Sequence, residues 1–390
     1  MSQTLYFGGP IVTMERELYV QALLTEGERI LYAGSLHGAE ERAEGTVRRV
    51  DLKGRALLPA FVDAHSHLGM FGDALGFEGD DGNESTDPCT PHLRAIDGVN
   101  PMDRCFRDAR LAGVTTVLTG PGSANPISGQ FVAMKTAGRW LDDMVIKAPA
   151  AMKLALGENP KLTYHERHEG PITRMATAAV IRENLAKAVE YRDKLERAAA
   201  DPDEEKPEFD AKLEALLPVV RRELPVHIHA HRADDIATSI RICKEFGLEY
   251  VIVHGTEGHL IANELAREGA RVITGPCLGD RSKPELANMS LETPVLLAMA
   301  GVKIAICTDH PETPVQYLPL CAAMAVKGGL PAEAALAAIT IWAAEIGGVA
   351  HRVGSLTPGK DGDVVVMSGH PLNWLSRVSA VVVDGRRVTE

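Results

Sequence analysis

Through its middle the chain alternates short apolar, β-rich runs with helix-length amphipathic stretches, and this alternation constrains the fold more than any other feature. The runs include Ala56-Leu57-Leu58, Val114-Thr115-Thr116-Val117-Leu118, Met144-Val145-Ile146, Val226-His227-Ile228, Tyr250-Val251-Ile252-Val253, Ala270-Arg271-Val272-Ile273 and Lys303-Ile304-Ala305-Ile306. Segments such as Asp235 to Phe246 and His259 to Arg267 lie between them. Strand–helix alternation points to a parallel sheet. About eight such units over roughly 300 residues favour an α/β fold of the closed (β/α)8 TIM-like barrel type over an open sheet. No GxGxxG follows a strand and no GxxxxGK[ST] occurs, so nucleotide cradling has no support.

The two ends read differently. Leu5-Tyr6-Phe7, Ile11-Val12-Thr13-Met14, Ala22-Leu23-Leu24-Thr25 and Arg29-Ile30-Leu31-Tyr32-Ala33 are short strands separated by turns. Asp363-Val364-Val365-Val366-Met367 and Val378-Ser379-Ala380-Val381-Val382-Val383 are their counterparts near the C-terminus. Neither end alone carries enough strands for a stable sheet. Residues 1–58 with 355–390 are therefore expected to form one small β-sandwich domain, and residues 59–354 the barrel. Within the barrel, about 174–222 reads as a charged helical pair joined by Asp201-Pro202-Asp203-Glu204-Glu205-Lys206-Pro207.

At 390 residues and 45% hydrophobic content, the chain can bury a core of this size. A net charge of -12 argues against a nucleic-acid surface. The six cysteines form no CxxC pair and read as buried reduced thiols. No run approaches the ~18 apolar residues of a membrane helix, and the N-terminus lacks the pattern of a secretory signal. A cytoplasmic protein is the expectation.

Chemistry enters with Leu57-Leu58-Pro59-Ala60-Phe61-Val62-Asp63-Ala64-His65-Ser66-His67, an apolar run ending in His-x-His. Residues two apart on a strand share a face, so two imidazoles project together from its C-terminal end. Barrel enzymes keep their sites at that end. Pro225-Val226-His227-Ile228-His229-Ala230-His231 places three histidines on one face of a later strand. His254 ends the run Tyr250–Val253, and Asp309 follows Ile304-Ala305-Ile306-Cys307-Thr308. Four strand ends that all carry metal-type ligands are hard to produce by packing alone, because unpartnered buried imidazoles are costly.

These residues resemble the amidohydrolase superfamily, and the resemblance spans essentially the whole chain. The His-x-His of strand 1, a His in strand 5, a His in strand 6 and an Asp in strand 8 match that family's metal-site order. The segment Gly354 to Asp363 looks like its return to the β domain. Within the superfamily the chain looks closest to the imidazolonepropionase-related group. The stretches Glu78 to Pro101 and Met152 to Lys161 resemble a subgroup of uncharacterised members. The substrate-binding loop pattern of imidazolonepropionase itself is not found, so its substrate is not assigned.

The resemblance implies roles. His65 and His67 would bind the more buried metal, and His229 and His254 a second metal or the substrate side. The family's strand-5 pattern maps onto His229, with His227 and His231 as competitors, and leaves His231 for substrate. Asp309 would bind metal and act as general base. Two-metal members carry a strand-4 lysine that captures carbon dioxide as a bridging carbamate. Lys153 is the candidate, with Lys147 and Glu158 as competitors. Imidazole and carboxylate donors suit one or two zinc ions, with iron, manganese or nickel as other occupants. The long loop 68–101 reads either as a solvated acidic loop or as a lid in which Arg94 would meet a substrate carboxylate. Arg174, opening the helical insertion, is a second such candidate.

The expected activity is hydrolysis of a C–N bond in a cyclic amide, an N-acyl amino acid or a small peptide. A mononuclear deaminase of an amino-substituted ring and a non-catalytic scaffold of the same fold are the alternatives. A small-molecule substrate and a homo-oligomer complete the expectations, with neither nucleic acid nor membrane as partner.

Overall fold

In the computed structural model, residues 2–73 and 75–389 are described. Met1, Ala74 and Glu390, which fall within the N-terminal β segment, the long loop and the C-terminal segment assigned above, lie outside the described residues. Among the described residues the strands form two sheets of eight.

One sheet is the barrel. Its strands are β1 (Phe61–Ser66), β2 (Val114–Thr119), β3 (Ile127–Lys135), β4 (Val145–Ala155), β5 (Val226–Ala230), β6 (Tyr250–His254), β7 (Arg271–Thr274) and β8 (Lys303–Ile306). They neighbour one another in sequence order, and β8 returns to β1 to bring the barrel close to closure. The fold class is that of the sequence expectation, with one departure. β3 runs antiparallel to both β2 and β4. The cause is local: only residues 120–126 separate β2 from β3, and a parallel crossover needs a dozen or more residues.

The apolar run that precedes His65 is not one strand. It breaks at Ala60, whose N–H donates to the Asp363 carbonyl at 3.0 Å. Ala56–Pro59 belongs to the second sheet, and Phe61–Ser66 begins the barrel. That second sheet draws its strands from both ends of the chain. Its order is Arg386–Arg387, Val378–Val383, Val364–Met367, Ala56–Pro59, Gln3–Val12, Tyr19–Glu26 and Arg29–Gly34, with Val47–Asp51 alongside Gln3–Val12. The register pairs Val364 with Pro59 and Met367 with Ala56, so the C-terminal strand docks on the segment that enters the barrel. Leu23, Leu57, Val364 and Val382 pack in one apolar cluster of this sheet.

A buried ion cluster joins the two sheets. Lys135, at the end of β3, is 2% exposed. Its Nζ lies 2.8 Å from Asp361 Oδ2 and 3.2 Å from Asp384 Oδ1, and it also pairs with Asp363.

Between β4 and β5 stand the helices Arg174–Ala200 and Ala211–Val220. Thr173 caps the first by accepting from the Ala176 N–H, and Asp210 caps the second by accepting from Lys212 and Leu213. Ile181, Leu185, Leu216 and Val219 pack on Met152, Leu154, Val226 and Ile228, so the pair covers β4 and β5. Among the described residues no helix is long and apolar enough to cross a membrane.

Candidate metal centre and its cavity

The carboxylate of Asp309, just beyond β8, is the hub of the site. Its Oδ1 lies 3.3 Å from Nε2 of both His65 and His67, and its Oδ2 lies 4.0 Å from Nε2 of His254. His67 Nδ1 donates to the Gly120 carbonyl at 2.6 Å, and His254 Nδ1 donates to the Gly275 carbonyl at 2.7 Å. A carbonyl only accepts, so those Nδ1 atoms carry the protons, and in the neutral rings Nε2 presents a lone pair. The lone pairs of His67 and His254 thus face the two oxygens of one carboxylate, an arrangement that a cation resolves and hydrogen bonding does not. Asp309 Oδ1 has no hydrogen-bond partner among the described residues. His254 and Asp309 hold φ of 72° and 54°, left-handed values that cost a non-glycine residue about 1–3 kcal/mol and concentrate at functional sites.

Electrostatics agree with this geometry. Burial holds His65 well below the usual imidazole value, with the nearby Lys153 adding to the effect. Burial also brings His254 down to about 4. Both rings are therefore neutral near pH 7, as ligands must be. For Asp309 burial opposes ionisation, but His254, His65 and His67 together hold it well below the usual carboxylate range. Lys153 is fully buried on β4 with Nζ 3.3 Å from His65 Nε2. Burial lowers its ammonium to about 8.

A second group of donors lies beside the first. The ring centroids of His229 and His231 are 4.6 and 4.5 Å from that of His254. His229 Nδ1 meets Ser123 Oγ at 2.9 Å, and His231 Nδ1 meets Thr256 Oγ1 at 2.7 Å. One Nδ1 or Nε2 atom from each of these three histidines lies within 4.8 Å of the others. His227 stands apart. Neither of its ring nitrogens has a partner among the described residues, and burial lowers it to about 3.

Two residues here carry no signal in the sequence analysis. Glu285, in the loop after β7, is 1% exposed, with Oε1 3.6 Å from Nε2 of both His229 and His231. Lys283 Nζ lies 2.7 Å from the same oxygen. Asp-Arg-Ser-Lys-Pro-Glu reads as a solvated turn, and only the fold turns it inward.

The other candidates are placed as follows. Arg94 is exposed and forks onto Asp97 at 2.7 and 2.8 Å, away from the cluster. Arg174 Nε is held by both oxygens of Asp235, at 2.9 and 3.1 Å. Each guanidinium is thus engaged by a carboxylate of the chain itself. Lys147 is half-buried, with Nζ in the neighbourhood of Gly348. The Glu158 carboxylate accepts from the Glu285 backbone N–H at 3.3 Å. A cavity of about 420 Å³ opens over the centre, lined by His67, His229, His231, Asp309 and Lys283. The long loop after β1 contributes Phe71 and Asn83 to this wall.

The amidohydrolase family profile matches residues 56–388. The chain is 31% identical over 360 residues to amidohydrolase tasK of Hapsidospora irregularis, which covers 86% of this chain and 36% of that longer protein. It is 25% identical over 372 residues to an imidazolonepropionase of Streptomyces coelicolor, covering 89% of this chain and 85% of that one. The crystal structure of an amidohydrolase from Thermotoga maritima superposes with a TM-score of 0.94 at 41% identity, over 99% of this chain and 100% of that one. A barrel whose strand ends gather imidazoles around a carboxylate, matched along most of its length, is thus an enzyme of the amidohydrolase family, in its imidazolonepropionase-related group.

Proposed function

We propose that the chain is a metal-dependent hydrolase that cleaves the C–N bond of a small cyclic amide, an N-acyl amino acid or a short peptide. The observation that carries this reading is the convergence of His65, His67 and His254 Nε2 on the ionised Asp309. His65, His67 and Asp309 would hold one ion, and His229 and His254 a second. The donors suit zinc, with iron, manganese or nickel as other occupants. Lys153, as a carbamate, would be a further donor. Bound metal supplies a Lewis acid and lowers the pKa of water towards ~7.

The protein's own groups do the rest. Asp309 accepts the proton of the attacking water and returns it to the leaving nitrogen. His254 is held in orientation by the Gly275 carbonyl. A cavity of about 420 Å³ accommodates a small molecule and no folded partner. Asn83 in its wall offers an amide donor for a substrate carbonyl, and His231 lines the same wall.

The test joins metal analysis to a substrate screen of N-acyl amino acids, dipeptides and cyclic ureides. Stoichiometric metal and hydrolysis that His65→Ala abolishes support the reading. Metal-free protein with activity unchanged in His65→Ala would end it. Ammonia release from an amino-substituted ring would move the account to deamination.

A further inference from the structure

The loop after β7 brings a carboxylate into the centre that the donor set above does not use. Glu285 sits on the short turn Pro284–Leu286, where a glutamate is ordinarily solvated, yet it is 1% exposed. Its Oε1 is 3.6 Å from Nε2 of His229 and equally 3.6 Å from Nε2 of His231. Donors that share one zinc ion at bonds of about 2.1 Å lie about 3.4 Å apart in a tetrahedron. The spacing of Glu285 to His229 and to His231 is thus that of ligands on a common ion. His229 Nε2 has no hydrogen-bond partner among the described residues.

The rest of the carboxylate is fixed by the scaffold. Oε2 accepts the Glu158 N–H at 3.0 Å, while the Glu285 N–H donates to Glu158 Oε2 at 3.3 Å. This reciprocal pair clamps the loop to the turn that follows β4. Gly157 makes the room: a Cβ there would lie 2.8 Å from Glu285 Oε2, and its φ of +93° disfavours any side chain. Lys283 Nζ, 2.7 Å from Oε1, offsets the buried charge and is itself steadied by Asn159 Oδ1 at 2.8 Å. A carboxylate oxygen has two lone pairs, so the lysine leaves one for a second cation.

We propose that Glu285, with His231, is a donor to the ion held by His229 and His254, so that this ion adds to the clamp that holds the loop of residues 277–290 over the site. The inference rests on the metal-dependent reading above and goes beyond it in naming a ligand delivered by a loop.

The experiment is zinc titration of chelator-stripped full-length protein against a competing chromophoric chelator, paired with limited proteolysis. Wild type is expected to bind two zinc ions, and zinc is expected to protect residues 277–290 from cleavage. Glu285→Gln is expected to keep one zinc, to bind the other at least ~10-fold more weakly, and to lose the protection. Lys283→Met, which removes the competing cation together with its bond to Asn159, is expected to keep the second zinc. Equal second-site affinity and equal protection in wild type and Glu285→Gln overturn the inference. So does an equal loss in Lys283→Met, which would mark a merely structural loop. A wild type that binds a single zinc unaffected by Glu285→Gln overturns the inference and leaves the metal-dependent reading standing. A wild type that binds none overturns both.

Discussion

The Asp63 carboxylate on β1 accepts the Thr308 backbone N–H at 3.3 Å and the Thr308 hydroxyl as well. It also accepts the His65 N–H at 3.3 Å. One fully buried side chain therefore ties the first barrel strand to the turn after the last. It does so two residues from His65 and one residue before Asp309. Asp63→Ala leaves buried donors unpaired, each costing about 1–3 kcal/mol. The variant should lose about 2–4 kcal/mol in urea unfolding and retain less metal than wild type after dialysis. Asp63→Asn, which keeps an acceptor, should lose less on both counts.

The junction between the barrel and the second sheet depends on Lys135. Removing one partner of a buried ion cluster leaves charge uncompensated and costs about 3–5 kcal/mol. Lys135→Met should lower stability by that order, since Asp363 is as buried as the lysine and Asp361 more so. Denaturant unfolding measures it. A loss under about 1 kcal/mol, the worth of an exposed pair, would show that the cluster is solvated.

The same cluster predicts an acid limb. Burial opposes ionisation of Asp361, but Lys135 and Arg352 outweigh it and hold the carboxyl below its usual value. A carboxylate whose folded pKa is depressed contributes stability that is present above its unfolded pKa of about 3.9 and lost as pH falls through the folded one. Asp363 acts oppositely, because burial raises it. Asp361→Asn should therefore be less stable than wild type at pH 7 and should approach it below about pH 4. Melting temperatures across pH 2.5 to 7 test this. A difference independent of pH would contradict it.

Lys153 gives a prediction about carbon dioxide. Carbamates form from the neutral amine, and burial that brings Lys153 down to about 8 enlarges its neutral share near pH 7 and further at pH 8. Zinc uptake by the stripped protein should therefore be faster with bicarbonate, and more so at pH 8 than at pH 7. A carbamate carbon signal should appear when ¹³C-bicarbonate is supplied. Lys153→Arg, which keeps the charge but not the nucleophilic amine, should show neither effect.

The strands that bear the candidate ligands were legible because each ends an apolar run: β1 before His67, β6 at His254 and β8 before Asp309. Period-two spacing was enough to place His65 with His67, whose ring centroids lie 5.2 Å apart. What escaped was whatever depends on distant partners. Ile127–Lys135 follows a loop too short for a crossover, and the expectation of uniform strand–helix units passed over it. Glu285 and Lys283 lie in a polar turn, and nothing local distinguishes that turn from a solvated one. Arg94 and Arg174 looked available for a substrate because an arginine's partner cannot be read along the chain. Asp97 and Asp235 engage them instead.

The central claim is that separate strand ends deliver imidazole and carboxylate donors to one metal position. Anomalous X-ray scattering at the zinc edge, from crystals of zinc-loaded protein, tests it most directly. The account predicts a strong peak bounded by His65, His67 and Asp309. The rival trio Asp361, Asp363 and Asp384, whose ligand atoms lie within 4.8 Å of one another as those of His65, His254 and Asp309 do, should give none, because Lys135 fills it. A peak at that trio with none at Asp309, or no bound zinc at all, would contradict the account.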